Sequence, residues 1–519
     1  MNRFLLWLLA ASLQPLTLLG GNFYENPVKA IGLPDPSVIR TADGYWATAT
    51  SSDWAPHFPL LFSRDLVNWE LRGHVLNETP TWAKGSFWAP EISEYRGTYF
   101  VYYTARRHDG RLAVAVATAS KPDGPYTDHG VLVAQELGSI DAMAYTDEDS
   151  GRWLVWKEDG NSQKRPTYLF LQRLCDDGRK LVGESRRILS NDSAWEGNVV
   201  EGPFILKRGG FFYLFYSGAN CCGRGCNYAL GVARAKRLEG PWEKCPSNPL
   251  LAENDAWRCP GHGSITLDAD GRYWLLYHAY ERSGFVATGR QLLLDEVMFN
   301  SDGWPSINRG DGPSRRAMAP DPAAIQDREL LSFDPFDAAP ILRADWQWPI
   351  GHKPVYRLSA GWLSISSDST PAMIAQQVRN RTFMAETTVE IPSRGRAGLA
   401  VAATHANSIG LLVQPGRASV IVRQNSKELE MGSISLPDDK TVRLRIVSVD
   451  GRRFRFACAS TNDGWKEVGL RQGASALPLW DRQIRVGLQV LDAGATTARF
   501  DSFTLRDNRT DLLTVEGNQ

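Results

Sequence analysis

A glycine followed by a bulky, β-prone run recurs five times along this chain, at Gly44-Tyr-Trp, Gly97-Thr-Tyr-Phe, Gly151-Arg-Trp-Leu, Gly210-Phe-Phe-Tyr and Gly271-Arg-Tyr-Trp. The steps between copies are 53, 54, 59 and 61 residues. Glycine suits a tight hairpin turn, and the aromatic residues after it favour a pleated strand. Most copies continue into a second strand and a similar turn. Leu112-Ala-Val-Ala-Val-Ala-Thr leads to Gly124-Pro-Tyr, and Tyr228-Ala-Leu-Gly-Val-Ala leads to Gly240-Pro-Trp. Five copies of a four-strand unit at this period predict a five-bladed β-propeller, because each unit buries its faces only against its neighbours. A β-sandwich with chance glycine turns has no reason to keep the spacing.

The repeat does not fill the chain. At 519 residues the sequence exceeds what one hydrophobic core usually holds. A stretch rich in Pro, Asp and Ala interrupts the pattern and reads as a linker. Beyond it, alternating strands return without the period, among them Phe383-Met-Ala-Glu-Thr-Thr-Val-Glu-Ile, Thr441-Val-Arg-Leu-Arg-Ile-Val and Ile484-Arg-Val-Gly-Leu-Gln-Val. Such alternation predicts a β-sandwich or jelly roll. The expected layout is an all-β chain with a propeller over 22–311, a linker over 312–340, a sandwich over 341–508 and a tail over 509–519.

Composition narrows the partners. Lys plus Arg (58) balances Asp plus Glu (58), so no basic field draws in nucleic acid or an anionic membrane. The 18 tryptophans suit a protein that stacks flat rings on sugars, although core packing also consumes aromatics. Residues 1–21 carry one arginine and then a short apolar run, the pattern of a secretory signal peptide, so a secreted, extracellular protein is expected. Sequons beginning at Asn77, Asn191, Asn380 and Asn508 agree with export. Of seven cysteines, Cys221, Cys222, Cys226, Cys245 and Cys259 fall in one stretch. In an oxidising compartment they predict local disulfides, with Cys175 or Cys458 left as a free thiol. A metal site is the rival reading, but no histidine is interleaved at ligand spacing.

Three acids stand near the starts of repeat units, where propeller strands converge on a central channel. Asp35 lies between two prolines in Leu33-Pro-Asp-Pro-Ser-Val, which restricts its backbone; it is either a fixed catalytic carboxylate or a turn aspartate. Asp141 interrupts the strand-like Ser139-Ile-Asp-Ala-Met-Ala-Tyr, and a buried acid needs a partner, catalytic or structural. Glu201 ends the apolar run Asn198-Val-Val-Glu, a setting expected to raise its carboxyl pKa as a general acid requires. Glycosidic hydrolysis needs one carboxylic acid to protonate the leaving oxygen and one carboxylate to activate water or attack the sugar.

Pro34-Asp-Pro-Ser-Val, Phe87-Trp-Ala-Pro-Glu-Ile, Ser139-Ile-Asp, Val200-Glu-Gly-Pro and Gly261-His-Gly-Ser occur in that order over roughly residues 25 to 310. As a set they resemble the motif series of family 43 glycoside hydrolases. The resemblance implies a five-bladed, inverting enzyme with Asp35 as general base, Asp141 as the acid that orients and tunes its partner, and Glu201 as general acid. It also implies that His262 contacts a central, often hydrated calcium, and that Arg290 hydrogen-bonds the bound sugar. A structural histidine and an ordinary ion pair are the plainer readings. No cofactor is required for the chemistry. Ala142-Met143 stands where the family often has proline. The Asn-Asp-Pro and Arg-Asp-Pro motifs of related fructan-cleaving enzymes are absent.

Trp88, Trp54 and Trp82 are candidate sugar-stacking walls, or blade packing. The C-terminal sandwich resembles the concanavalin-like domain of β-xylosidases and arabinofuranosidases in this family, either binding sugar or packing on the propeller and lending a loop to the pocket. The expected activity is exo-acting release of L-arabinofuranose or D-xylose from plant hemicellulose or arabinan. An endo-arabinanase and a non-catalytic sugar-binding propeller are the alternatives.

Overall fold

The computed structural model describes residues 23–507, apart from 149–150, 284–286, 322–323, 329, 338–339, 368–370, 461–463, 470–471, 474–476, 478–482 and 492–495. The signal-peptide reading of 1–21, the Asn508 sequon and the tail lie outside the described residues. Among the described residues, no helix is long and apolar enough to cross a membrane.

The five glycine turns join the first and second strands of five antiparallel sheets. Blade I consists of Ser37–Thr41, Gly44–Thr48, His57–Ser63 and Glu70–Leu76. Blade II holds Ala83–Tyr95, Thr98–Arg107, Leu112–Ala119 and Thr127–Val133; blade III holds Ser139–Thr146, Arg152–Glu158, Tyr168–Leu174 and Leu181–Ser190. Blade IV runs Val200–Arg208, Phe211–Gly218, Ala229–Ala235 and Glu243–Lys244. Blade V runs Trp257–Leu267, Tyr273–Glu281 and Arg290–Phe299, and the N-terminal strand Lys29–Gly32 pairs with the last of these. The ring is therefore closed by chain from its own beginning.

The aromatic residues after each glycine explain why the blades stack. One core lies between each pair of neighbours: Phe87, Val101 and Tyr103 of blade II meet Phe58 and Leu60 of blade I, while Leu154 and Trp156 of blade III meet Tyr102 and Val114 of blade II. The same holds at III/IV, IV/V and V/I. Each fully buried large apolar side chain contributes about 1.5–3 kcal/mol, and none of it is available to an isolated blade.

The sandwich packs a sheet containing Phe383–Glu390, Thr441–Ser448 and Thr496–Arg506 on one containing Ala372–Gln377, Arg396–Thr404 and Arg485–Leu491. Their inner faces form one large aliphatic core. The segment expected to be a plain linker is partly built into both domains. Arg316–Met318 pairs with Phe23–Glu25, and Leu331–Asp334 pairs with Thr496–Arg506 of the sandwich.

Trp54 corrects another expectation. It is 1% exposed, packs on Met373, Ala375, Ala400 and Ala402, and lies 4.4 Å from the Arg485 guanidinium. Trp54–Ala55 also pairs with Trp348–Pro349. It is a domain-interface anchor and not a sugar wall. Trp82 likewise packs in a blade, donating its indole N–H to Asp128 at 3.1 Å.

Candidate active site

The innermost strands of blades II to V are kinked at the channel, and in blade I the chain turns at Asp35, just before its inner strand; these kinks carry the chemistry. Asp35 (φ 54°), Ala89 (φ 42°), Asp141 (φ 56°), Gly202 (φ 58°) and His262 (φ 40°) all have left-handed backbone. Strand register breaks between Trp88 and Glu91, Ile140 and Met143, Glu201 and Phe204, and Gly261 and Ser264. A bulge of this kind re-aims a side chain out of the sheet, and left-handed backbone costs a non-glycine residue about 1–2 kcal/mol. Only glycine serves at 202, where an added Cβ would lie 2.8 Å from the His262 ring.

These kinks bring Asp35, Asp141, Glu201, His262, Arg290 and Trp88 onto one cavity of about 1220 Å³. Asp35 accepts from Arg290 Nη1 at 3.0 Å and from the Thr50 hydroxyl at 2.7 Å, while its backbone N–H donates to His278 Nδ1 at 3.0 Å. Burial pushes its carboxyl up, but Arg290, His262, His278 and the Thr50 bond outweigh it and hold Asp35 well below the usual carboxylate range. His278 is itself kept neutral by burial and the adjacent Arg290.

Glu201 departs from the sequence expectation of a carboxyl raised by apolar surroundings. Its Oε2 accepts from Lys157 Nζ at 2.7 Å, and its Oε1 accepts from the Tyr228 hydroxyl at 2.8 Å. Burial raises the carboxyl, but the Lys157 charge and these bonds lower it further, so the net shift is downward. The raised acid is Asp141, pushed up to about 7 by burial, against His262 and with Glu201 adding to the rise. Its Oδ2 accepts the Gly202 N–H at 3.1 Å, and its own N–H donates to Thr104 at 3.1 Å. Like charges that cannot both ionise freely leave one proton shared across this pair.

Sequence reasoning missed Lys157, Tyr228, Thr50 and His278. Lys157 was findable: in Trp153-Leu-Val-Trp-Lys-Glu a lysine interrupts an apolar strand as Asp141 does, and it is paired in register with Ile140. Tyr228 had no such signal; it stacks on His278 with ring centroids 5.8 Å apart, linking the surroundings of Glu201 and Asp35.

His262 lies 3.4 Å from Asp35 and 3.9 Å from Asp141, between the two acids. Among the described residues, no three or more His, Cys, Asp or Glu side chains are grouped to hold a metal ion. The side chains here thus do not form a protein coordination shell for the calcium implied by the family resemblance, and no step below runs through a metal. Trp88 stands half-buried on the cavity wall beside Arg106, whose guanidinium is 5.7 Å from its ring. Arg452, Arg453 and Leu477 of the sandwich complete the rim.

The cysteines pair as Cys221–Cys222 and Cys226–Cys259, leaving Cys175, Cys245 and Cys458 free, of which Cys245 and Cys458 are buried and Cys175 is half-buried. Cys245 therefore falls outside the expected cluster: it is packed into the blade IV/V core, away from a partner sulfur. Of the sequons, Asn77 is exposed, whereas Asn191 and Asn380 are half-buried and hydrogen-bonded within the fold.

Residues 24–305 match the family model described as glycosyl hydrolases family 43. The chain is a member of that family. Residues 334–506 match the β-xylosidase C-terminal concanavalin A-like domain. Xylosidase/arabinosidase 43B of Humicola insolens is 26% identical over 491 residues, covering 86% of this chain and 88% of the relative. Non-reducing end α-L-arabinofuranosidase BoGH43B of Bacteroides ovatus is 25% identical over 460 residues, covering 82% and 81%. A solved xylan β-1,4-xylosidase from Bacillus halodurans superposes with a TM-score of 0.81 at 22% identity, covering 93% of this chain and all of that one, a likeness of fold. This family 43 protein is a glycosidase, a five-bladed propeller carrying a concanavalin-like sandwich.

Proposed function

We propose that this glycosidase works from the non-reducing end of plant hemicellulose or arabinan, releasing single L-arabinofuranose or D-xylose residues with inversion. One observation carries the reading: three carboxylates line a single cavity in different electrostatic surroundings, Asp35 and Glu201 lowered by cationic neighbours and Asp141 raised. Asp35, kept ionised by Arg290 and its neighbours, takes a proton from water as the water oxygen attacks the anomeric carbon. Glu201 gives a proton to the leaving oxygen, and Asp141, raised to about 7, holds the shared proton beside it and fixes the kink that presents Glu201. Arg290 orients Asp35 and offers hydrogen bonds to a sugar hydroxyl, while Trp88 offers a ring face.

Exo action is supported by the walls. The loop 219–225 and the sandwich residues Arg452, Arg453 and Leu477 line the same cavity as the acids, which leaves less room for an internal chain segment than a cleft formed by the propeller alone. The names of the Humicola and Bacteroides relatives favour the two pentoses. The N-terminal signal pattern supports secretion.

The test is product analysis on branched arabinan and arabinoxylan, with proton NMR of the first-formed anomer from an aryl arabinofuranoside and an aryl xyloside. Single pentose of inverted configuration is expected. Oligosaccharides appearing first would overturn exo action, and a retained anomer would remove Asp35 as base.

A further inference from the structure

The adjacent cysteines have no part in the reading above, yet they sit on the same cavity. Cys221 and Cys222 are both half-buried and line it together with Asp35, Glu201 and His262. Strand register explains their place. Glu201 pairs with Ser217 and Val200 with Gly218, so the chain leaving Gly218 runs past the strand start that carries Glu201 and reaches Cys221 three residues later.

The loop is fastened at several points. Ala219 N–H donates to Glu196 O at 2.8 Å, Asn227 N–H donates to Asn220 O at 3.1 Å, and Asn220 N–H donates to the Asn227 side chain at 3.1 Å. Cys226–Cys259 ties its far end to the innermost strand of blade V, three residues before His262. Cys221 packs against the cluster of Cys226, Tyr228, Cys259 and Tyr280, and Tyr228 is the donor to Glu201. The wall is thus fixed relative to both proposed catalytic ends.

We propose that the Cys221–Cys222 disulfide is an apolar, specificity-determining wall that contacts the C–H face of the pentose in this pocket. The inference rests on the pentosidase reading. A pentose ring presents hydroxyls on its edge and C–H groups on its faces. Asp35, Arg290, Glu201 and Asn220 offer partners for hydroxyls. Sulfur is soft, polarisable and a weak hydrogen-bond partner, so a disulfide surface suits C–H groups and offers little to a hydroxyl. Joining the two sulfurs also removes side-chain freedom that free thiols would lose on binding.

The C221S/C222S double variant of the full chain keeps Cys226–Cys259 and replaces this surface with hydroxyls. On whichever aryl pentoside the unaltered protein cleaves, KM and the inhibition constant of the released pentose should rise about tenfold, the scale of losing a methylene-sized contact in an apolar pocket. The value of kcat should change less, and the pH profile should keep its limbs. Unchanged KM and product inhibition would overturn the proposal.

A second measurement needs no variant. The released pentose at saturation should slow reduction of Cys221–Cys222 by a phosphine, read by alkylation and peptide mapping. Equal reduction rates with and without sugar would overturn the proposal even if the variant fails to fold. If the unaltered protein cleaves neither aryl arabinofuranoside nor aryl xyloside, the pentosidase reading itself has failed, a distinct result.

Discussion

Replacing Lys157 by Met removes a buried cation from the floor of the site while keeping much of its stem volume. Lys157 is 1% exposed and pairs with Glu201 at 2.7 Å and Asp159 at 3.3 Å. At 2.7 Å and an effective dielectric of about 20, the attraction to Glu201 is ~6 kcal/mol. If only a quarter of that survives relaxation and water entry, proton affinity at the carboxyl pair still rises about tenfold. In the unaltered protein Asp141 is raised to about 7, and loss of the proton it shares with Glu201 sets the basic limb of kcat/KM near that pH. In the variant both carboxyls lose a countercharge, so the basic limb moves up by about one pH unit.

The stability consequence has a definite sign. Leaving one side of a buried pair uncompensated costs about 3–5 kcal/mol. With Lys157 gone, the folded-state pKa of Glu201 rises above its unfolded value, so stability is retained at low pH and lost as pH rises. The assay is kcat/KM on an aryl glycoside from pH 4 to 10, alongside thermal unfolding at both ends of that range. A basic limb that stays in place or moves down, with the fold intact, would refute the charge coupling. A stability deficit that shrinks with rising pH would refute it equally.

Glu201→Gln should slow substrates with poor leaving groups far more than activated aryl glycosides, because only the former need full protonation. Equal losses on both would count against the acid role. Asp35→Asn should abolish turnover of every substrate, with exogenous azide restoring part of it on aryl glycosides; full activity in this variant would move the base elsewhere. Because Arg290 and its neighbours keep Asp35 ionised, the acidic limb of kcat/KM should lie below that of an ordinary carboxylate, and a limb above pH 6 would contradict this. Trp54→Ala should cost about 3–5 kcal/mol of stability, read as a lowered unfolding midpoint, with KM little changed at low temperature. A large rise in KM without loss of stability would return Trp54 to the sugar.

Much of this molecule could be read without coordinates, and the reason is locality. The glycine turns at Gly44, Gly97, Gly151, Gly210 and Gly271 encode hairpins between neighbouring strands, and five similar units, the last completed by the N-terminal strand Lys29–Gly32, close a ring. The order of the motifs then placed Asp35 just before the inner strand of the first blade, and Asp141 and Glu201 on the inner strands of the third and fourth. The sandwich followed from period-2 alternation alone.

What remained hidden depends on which residues meet across blades and domains, a matter of register and shape that no local pattern records. Glu201 read as a carboxyl in apolar surroundings until Lys157, 44 positions earlier, was found against it, reversing the direction of its shift. Trp54 read as a funnel residue until the sandwich covered it. Cys245 has the spacing of a disulfide partner but packs into a core with its sulfur unpaired. The repeat could announce that three acids share a channel, because strand order decides that. Only the folded neighbourhood sets their charges, because burial, countercharge and hydrogen bonds act through space.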